Sequence, residues 1–268
     1  MTPICSWDWY ECTLIGIFDA EPVVQSLGGG LLATRGPAHQ NYPGSFVWDL
    51  PSGGTVQVWY GAGLEVHVVL SSGACDDLVA VVRRRWRHLV SRVDVAMDFD
   101  YAGAFEVIYR GLDGAAQDHK PRPVHSTTFG DWLRAERGRT LYLGARSSRL
   151  YMRCYEKGIE QSQAHPDRTF SLDWVRVEWQ LRPDSRHKEA LSTMTPEEAA
   201  SSTHFGGTAL ALLSGVGHPS LPLQRVPSTD PLYWALRQYG AALEALVRSE
   251  PEVTVAALLS RFREPVSA

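Results

Sequence analysis

In RLYMRCYEKGIE, residues 149–160, a tyrosine, an arginine, a second tyrosine and a lysine fall on alternate positions, as Tyr151, Arg153, Tyr155 and Lys157. Leu150, Met152 and Cys154 stand between them, so the spacing predicts a half-buried strand, apolar toward a core and polar away from it. The apolar side accounts for folding; the polar side needs another reason. Two further segments repeat the pattern. In RVDVAMDFD, Arg92, Asp94, Asp98 and Asp100 oppose Val93, Val95, Met97 and Phe99, and in WVRVEWQLR, Arg176, Glu178, Gln180 and Arg182 oppose Val175, Val177, Trp179 and Leu181. Side by side in one sheet, these polar sides would pool carboxylates, phenols and cations. Metal-assisted phosphoryl transfer needs such a surface: hard oxygen ligands suit Mg²⁺ or Mn²⁺, the cation polarises a phosphate, arginine or lysine offsets its charge, and a hydroxyl attacks phosphorus. The competing reading is plain, since solvent faces of antiparallel sheets are routinely charged and cross-strand Arg–Asp pairs stabilise them modestly.

The elements that must position these residues follow from periodicity. WDWYECTLIGIFD, SFVWDL, GTVQVWYG and LEVHVVLSS read as strands separated by Gly- and Pro-containing turns, which suggests an antiparallel meander. CDDLVAVVRRRWRHLV then reads as a helix with Leu78, Val82, Trp86 and Leu89 on one face, acids at its start and arginines toward its end, as the helix dipole favours. Next come the strand SRVDVAMDFDY, a helix near 104–112, the loop QDHKPRPVHS, and the strands TLYLGAR, RLYMRCYEKG and WVRVEWQLR. The last third turns helical in TPEEAASSTHFGGTALALL, DPLYWALRQYGAALEALVRS and PEVTVAALLSRF, with Thr-Pro-Glu-Glu as a helix start. The expected fold is α+β, a central antiparallel sheet with helices packed on one face. Residues 1–190 form the catalytic unit, and 191–268 a helical C-terminal region whose stripe of Leu232, Leu236, Tyr239, Leu243 and Leu246 is core.

Composition bounds the function. With 268 residues and 44% hydrophobic content, the chain can bury one large core or two modest ones. The N-terminus MTPICSWDWYECT has neither a basic start nor a hydrophobic signal core, so a soluble cytoplasmic protein is expected. Cys5, Cys12, Cys75 and Cys154 show no metal-ligand spacing and no disulfide framework, and they read as reduced thiols. A net charge of −4 argues against a general coat for polyanions, although RRRWRH and the arginines from Arg134 to Arg153 concentrate positive charge locally. No G-x-x-x-x-G-K-[ST] occurs and GGG at 28–30 lacks its context, so ATP-driven motor activity is not expected; nor is there a G-x-S-x-G elbow for serine hydrolysis. Most of the nine tryptophans are expected to be structural.

RVDVAMDFD, TLYLGARSSRLYMRCYEKGIE and WVRVEWQLR, in this order and spacing, resemble the replication initiation factors of rolling-circle plasmids and filamentous phages, with the related relaxases of some integrative elements. The resemblance covers about residues 55 to 182 and includes the strand–Gly–helix step LEVHVVLSSGACDDL. Two departures stand out: Ala145 replaces a common serine, and the His-hydrophobe-His metal motif of the wider endonuclease class is absent. The resemblance implies a tyrosine that nicks one DNA strand and stays bonded to the 5′ phosphate, leaving a 3′ hydroxyl to prime synthesis. Tyr155 matches the family tyrosine, Tyr151 is the alternative, and Lys157 and Arg153 are placed to ease loss of the phenolic proton. Asp94 and Glu178 are the expected first ligands for Mg²⁺ or Mn²⁺, Asp98 the next, and His67 either completes the set or is an ordinary sheet histidine. Arg146, Ser148 and Arg149 of GARSSR, with Arg176, are the expected DNA contacts. The implied partner is origin DNA, single-stranded or extruded as a hairpin, with a host or element helicase to unwind it and a possible homodimer. A conjugative relaxase of the same chemistry and a non-cutting origin binder remain open.

Overall fold

The computed structural model describes residues 4–30, 32–134, 137–218, 220–223 and 225. Its strands are β1 (Ser6–Leu14), β2 (Thr34–Gly36), β3 (Gly44–Leu50), β4 (Gly54–Gly61), β5 (Leu64–Ser71), β6 (His88–Asp100), β7 (Ser126–Gly130), β8 (Arg139–Leu143), β9 (Leu150–Tyr155) and β10 (Trp174–Leu181). All ten join one antiparallel sheet in the order β2-β3-β4-β5-β1-β6-β10-β9-β8-β7. The fold is therefore α+β with a large antiparallel sheet, as the alternating segments predict. β7 is an addition, because STTFG carries no apolar alternation and its residues are largely exposed at the sheet edge.

The apolar sides of the strands make one core. Tyr10, Cys12 and Leu14 of β1, Val66, Val68 and Leu70 of β5, and Val93, Val95, Met97 and Phe99 of β6 line it with Met152 and Cys154 of β9 and Val175, Val177, Trp179 and Leu181 of β10. Helices α1 (Glu21–Ser26), α2 (Gly73–Arg85), α3 (Ala104–Asp118), α5 (Lys188–Leu191), α6 (Pro196–Ser201) and α7 (His204–Ser214) send their buried residues into that same cluster. Burying Trp48, Trp174 and Trp179 completely removes roughly 150–250 Å² from water for each ring. All four cysteines are buried and free. Among the described residues no helix is long and apolar enough to cross a membrane.

Three local readings change. α2 stops at Arg85, and Trp86 is already extended, so the expected face from Leu78 to Leu89 is cut short and Leu89 joins β6. The basic run ends that helix on the core side of the sheet, where Arg83 donates to the Met194 carbonyl at 2.8 Å. Lys157 is not a strand residue: β9 ends at Tyr155, and Lys157 opens α4 (Lys157–Ala164), which lies against β10. Gly158 allows that approach, because a Cβ there would stand 1.7 Å from the Ser171 carbonyl oxygen. In the C-terminal region Thr195 caps α6 in a capping box with Glu198, as Thr-Pro-Glu-Glu predicts. The expected helices over 230–249 and 251–262, and the stripe from Leu232 to Leu246, lie outside the described residues.

A strap follows α7. His218 stacks on Tyr101 with ring centroids 3.9 Å apart, the Ser220 hydroxyl accepts from the Ile4 N–H at 2.7 Å, and Leu221 bridges to Asp98 beside β6. β1 pairs with β6 only as far as Ser6–Ala96, so the strap continues its line.

Candidate active site

The side of the sheet away from the core brings the three charged strands together. Arg176 stands opposite Tyr155, Glu178 opposite Arg153 and Gln180 opposite Tyr151 across β10 and β9. Across β10 and β6, Arg176 stands opposite Asp98, Glu178 opposite Ala96 and Gln180 opposite Asp94. Two bulges adjust this surface. Between Trp7 and Trp9, β1 carries one extra residue, Asp8, and between Val90 and Arg92, β6 carries Ser91. A bulge places two successive residues on one side of a sheet, and Asp8 thereby joins the polar side without disturbing Tyr10 and Cys12 in the core.

At the centre is a tyrosine–carboxylate pair. The Tyr155 hydroxyl donates to Glu178 Oε1 at 2.6 Å, and Arg153 donates from Nε to Glu178 Oε2. Arg153 also lies 5.3 Å from the Tyr155 ring centroid and Lys157 Nζ lies 5.5 Å from it. Tyr155 is 8% exposed and Glu178 2%. Burial, reinforced by the Glu178 charge, pushes the phenol well above its ordinary value. Burial also raises Glu178, with Arg153 pulling against it. The same burial thus makes the phenol harder to ionise and the carboxylate that faces it more basic.

Around the pair the charges are locked. Arg176 binds Asp98 through two parallel hydrogen bonds of 2.7 and 2.8 Å and reaches Asp8 at 3.3 Å, with Arg176 3% and Asp98 0% exposed. Arg92 holds Asp94 in the same forked manner at 2.9 and 2.6 Å, although burial still raises the Asp94 carboxyl. From the strap, Arg225 bonds to Asp8, to Asp76 at 2.7 Å and to the Trp7 carbonyl at 2.6 Å. Burial alone would raise Asp8; Arg176, Arg225 and Lys157 together hold it below the ordinary carboxylate value.

Beside the pair opens a cavity of about 500 Å³ lined by Arg92, Arg146, Arg153 and Arg182, by Tyr142 and Tyr151, and by Glu178 and Gln180. The Tyr142 and Tyr151 rings are nearly parallel, with centroids 5.6 Å apart and planes at 9°. Arg182 donates to the Arg146 carbonyl at 3.0 Å and pins the β8–β9 loop, which turns at Gly144 with φ +85°.

Of the expected residues, Tyr155, Arg153, Glu178, Asp94, Asp98 and Arg176 converge, with Lys157 reaching in from α4. Tyr151 and Arg146 line the cavity instead. Ser148 sits in the loop turn, where its N–H bonds to the Ala145 carbonyl, and Arg149 borders a separate hollow with Leu181, His187 and Leu191. His67 lies on β5, away from Glu178, where its Nδ1 meets Thr13 at 2.9 Å and its Nε2 meets Glu11 at 3.2 Å. The proposed ligand set does not fit a divalent cation as arranged. Asp94, Asp98 and Glu178 are each taken up by an arginine, and among the described residues no three His, Cys, Asp or Glu side chains are grouped to hold a metal ion. Asp8 and Arg225 were not singled out in the sequence. A bulge hides the first from any period-2 reading, and only the strap brings the second near.

Residues 89–205 match the family model described as replication initiation factor. No curated protein matches the chain. Among solved structures, that of a rolling circle replication initiator protein from Geobacillus stearothermophilus superposes with a TM-score of 0.54 at 20% identity, covering 88% of this chain and 95% of that one. The matched segment holds β9, β10 and most of β6, the strands that carry the tyrosine–carboxylate pair and its arginines. Over residues 89–205, somewhat under half of its length, the chain is thus similar to the replication initiation factor family.

Proposed function

We propose that the protein initiates rolling-circle DNA replication by cutting and rejoining one DNA strand through Tyr155. The observation that carries this reading is the 2.6 Å hydrogen bond from the buried Tyr155 hydroxyl to Glu178, backed by Arg153. Because burial holds the phenol protonated, its proton leaves as the bond to phosphorus forms. Tyr155 Oη bonds to phosphorus, Glu178 takes the proton, and the bond from phosphorus to the 3′ oxygen breaks. That oxygen leaves as a 3′ hydroxyl, protonated from water, and the strand stays on the enzyme as a 5′-phosphotyrosyl ester. Arg153 and the cavity arginines offset the charge that builds on the phosphate. The reverse reaction rejoins the strand. Arg176 acts by position, tying Asp98 and Asp8 beneath the pair. Tyr151 lacks the Glu178 contact, so it is assigned to the cavity rather than to attack.

Incubation with a randomised single-stranded DNA pool, followed by denaturation, tests the proposal. A protein band shifted by bonded DNA, present in wild type and missing in Tyr155→Phe, is the expected result. Parallel lanes with Mn²⁺ and with chelator show whether the arginines suffice. A band lost in Tyr151→Phe but kept in Tyr155→Phe would reassign the nucleophile, and reversible binding with no band in any lane would make the protein an origin binder that does not cut.

A further inference from the structure

We infer that the cavity beside Glu178 is the seat of an unpaired nucleotide, its base stacked on the Tyr142–Tyr151 pair and its phosphates held by Arg146, Arg153 and Arg182. The inference deepens the proposed function and rests on it for the position of the scissile phosphate. Three observations carry it. The cavity, about 500 Å³, falls in the range of roughly 300–1,000 Å³ that small-molecule sites occupy. Four arginines line it; Asp94 takes up Arg92 and Glu178 takes up Arg153, while Arg146 and Arg182 meet no carboxylate among the described residues, so the lining favours an anion. Its two tyrosines are nearly parallel, with ring centroids 5.6 Å apart, and they put aromatic surface next to those cations.

A phosphate alone would use the arginines and leave those rings idle; a neutral aromatic would use the rings and leave Arg146 and Arg182 without an anion. A nucleotide answers both. Stacking needs a base with an open face, so the strand must be unpaired at that position. Glu178 belongs both to the cavity and to the Tyr155 hydrogen bond, so an occupant lies next to the attacking oxygen rather than at a remote docking site. Gln180 lies among the arginines, and with its amide oxygen turned toward them it accepts from Arg182 and Arg92, which fixes the floor before a ligand arrives.

The probe is a fluorescent oligothymidylate of about 12 nucleotides, the same strand with abasic sites, and the matching duplex, all titrated against the full-length protein. Tyr142→Leu combined with Tyr151→Leu should weaken binding of the intact strand roughly 10-fold or more, while leaving the abasic strand and the duplex nearly unchanged. Tyr142→Phe with Tyr151→Phe keeps both rings and should bind as wild type. Arg182→Gln should weaken intact and abasic strands alike and lower the salt slope by about one. Equal affinity of the leucine pair and wild type for the intact strand would overturn the inference, as would equal weakening on intact and abasic strands. The covalent band separates the two proposals. Base-dependent weakening without any band in wild type sinks strand cutting and leaves the nucleotide seat; a normal band in the leucine pair with unaltered binding does the reverse.

Discussion

On one half of the sheet's polar side, from β8 to β6, arginines and carboxylates meet around a cavity; on the other half, from β4 to β1, aromatic rings close over one another. Trp59 is sandwiched between His39, 4.6 Å away at 11°, and His67, 4.9 Å away at 23°, and Tyr42 packs against both Trp59 and His67. Glu11 accepts there from Ser91 at 3.0 Å and meets His67, so the few polar atoms are used up locally. Both halves come from the same alternation of apolar and polar residues. What separates them is the shape of the outward side chains. Flat rings stack until water is gone, whereas guanidinium groups hold carboxylates at hydrogen-bond length and leave room beside Glu178 and Gln180. An outward face is thus made reactive by what it leaves uncovered as well as by its charges.

That contrast can be broken from its reactive side first. Tyr155→Phe should abolish the covalent DNA band, a loss of more than about a thousandfold, while the melting temperature stays close to wild type, because the ring and its cation contacts remain. Glu178→Gln keeps an acceptor for the Tyr155 hydroxyl but removes the base, and single-turnover cutting should slow roughly 100-fold or more. In wild type the cutting rate should fall as pH drops through the raised Glu178 value, and the glutamine variant should lose that limb. Arg176→Gln removes the forked ion pair from the fully buried Asp98, and denaturant unfolding should show a loss of about 3–5 kcal/mol. A loss below about 1 kcal/mol would mean that the surroundings of Asp98 relax to make up for the missing guanidinium.

Smaller effects test the quiet side. His88, beneath β1, accepts from or donates to the Tyr10 hydroxyl at 2.7 Å, and burial lowers its value from 6.5. A group whose folded value is depressed contributes stability that is present above the unfolded value and lost as pH falls below it. The melting temperature should accordingly drop as pH goes from 7.5 through about 6.5 toward 5, and His88→Gln should flatten that dependence. His67→Gln should change cutting less than about twofold, since His67 touches Glu11 and Thr13 and not Glu178, while costing about 1–3 kcal/mol through the partners left unsatisfied. A tenfold loss of cutting there would join the two halves into one site.

Much of this was legible in the sequence because it repeats at period two. The pairing of β6, β9 and β10, with Arg153, Tyr155, Asp94, Asp98, Arg176 and Glu178 outward, follows from alternation alone once the strands are neighbours. What alternation misses are its own interruptions: the bulge at Asp8, the end of β9 before Lys157, and the edge strand β7 that has no buried side. Nor does it show how a charge is spent. Asp94, Asp98 and Glu178 read as metal ligands by residue type, and the fold gives each an arginine. His67 has a ligand's chemistry but lies on the wrong half of the face.

The sheet order has a consequence for synthesis. β6 is complete at Asp100, but its partner β10 begins only at Trp174, after two helices and three strands. At about 5–20 residues per second, the growing chain carries β6 for roughly 4–15 seconds with one edge unpaired. An edge of Val, Ala, Met and Phe alone would invite pairing with a neighbouring chain; Asp94, Asp98 and Asp100, spaced along it, make such pairing repulsive until Arg176 arrives. The acids that later brace the Tyr155–Glu178 pair first serve as gatekeepers on the nascent chain.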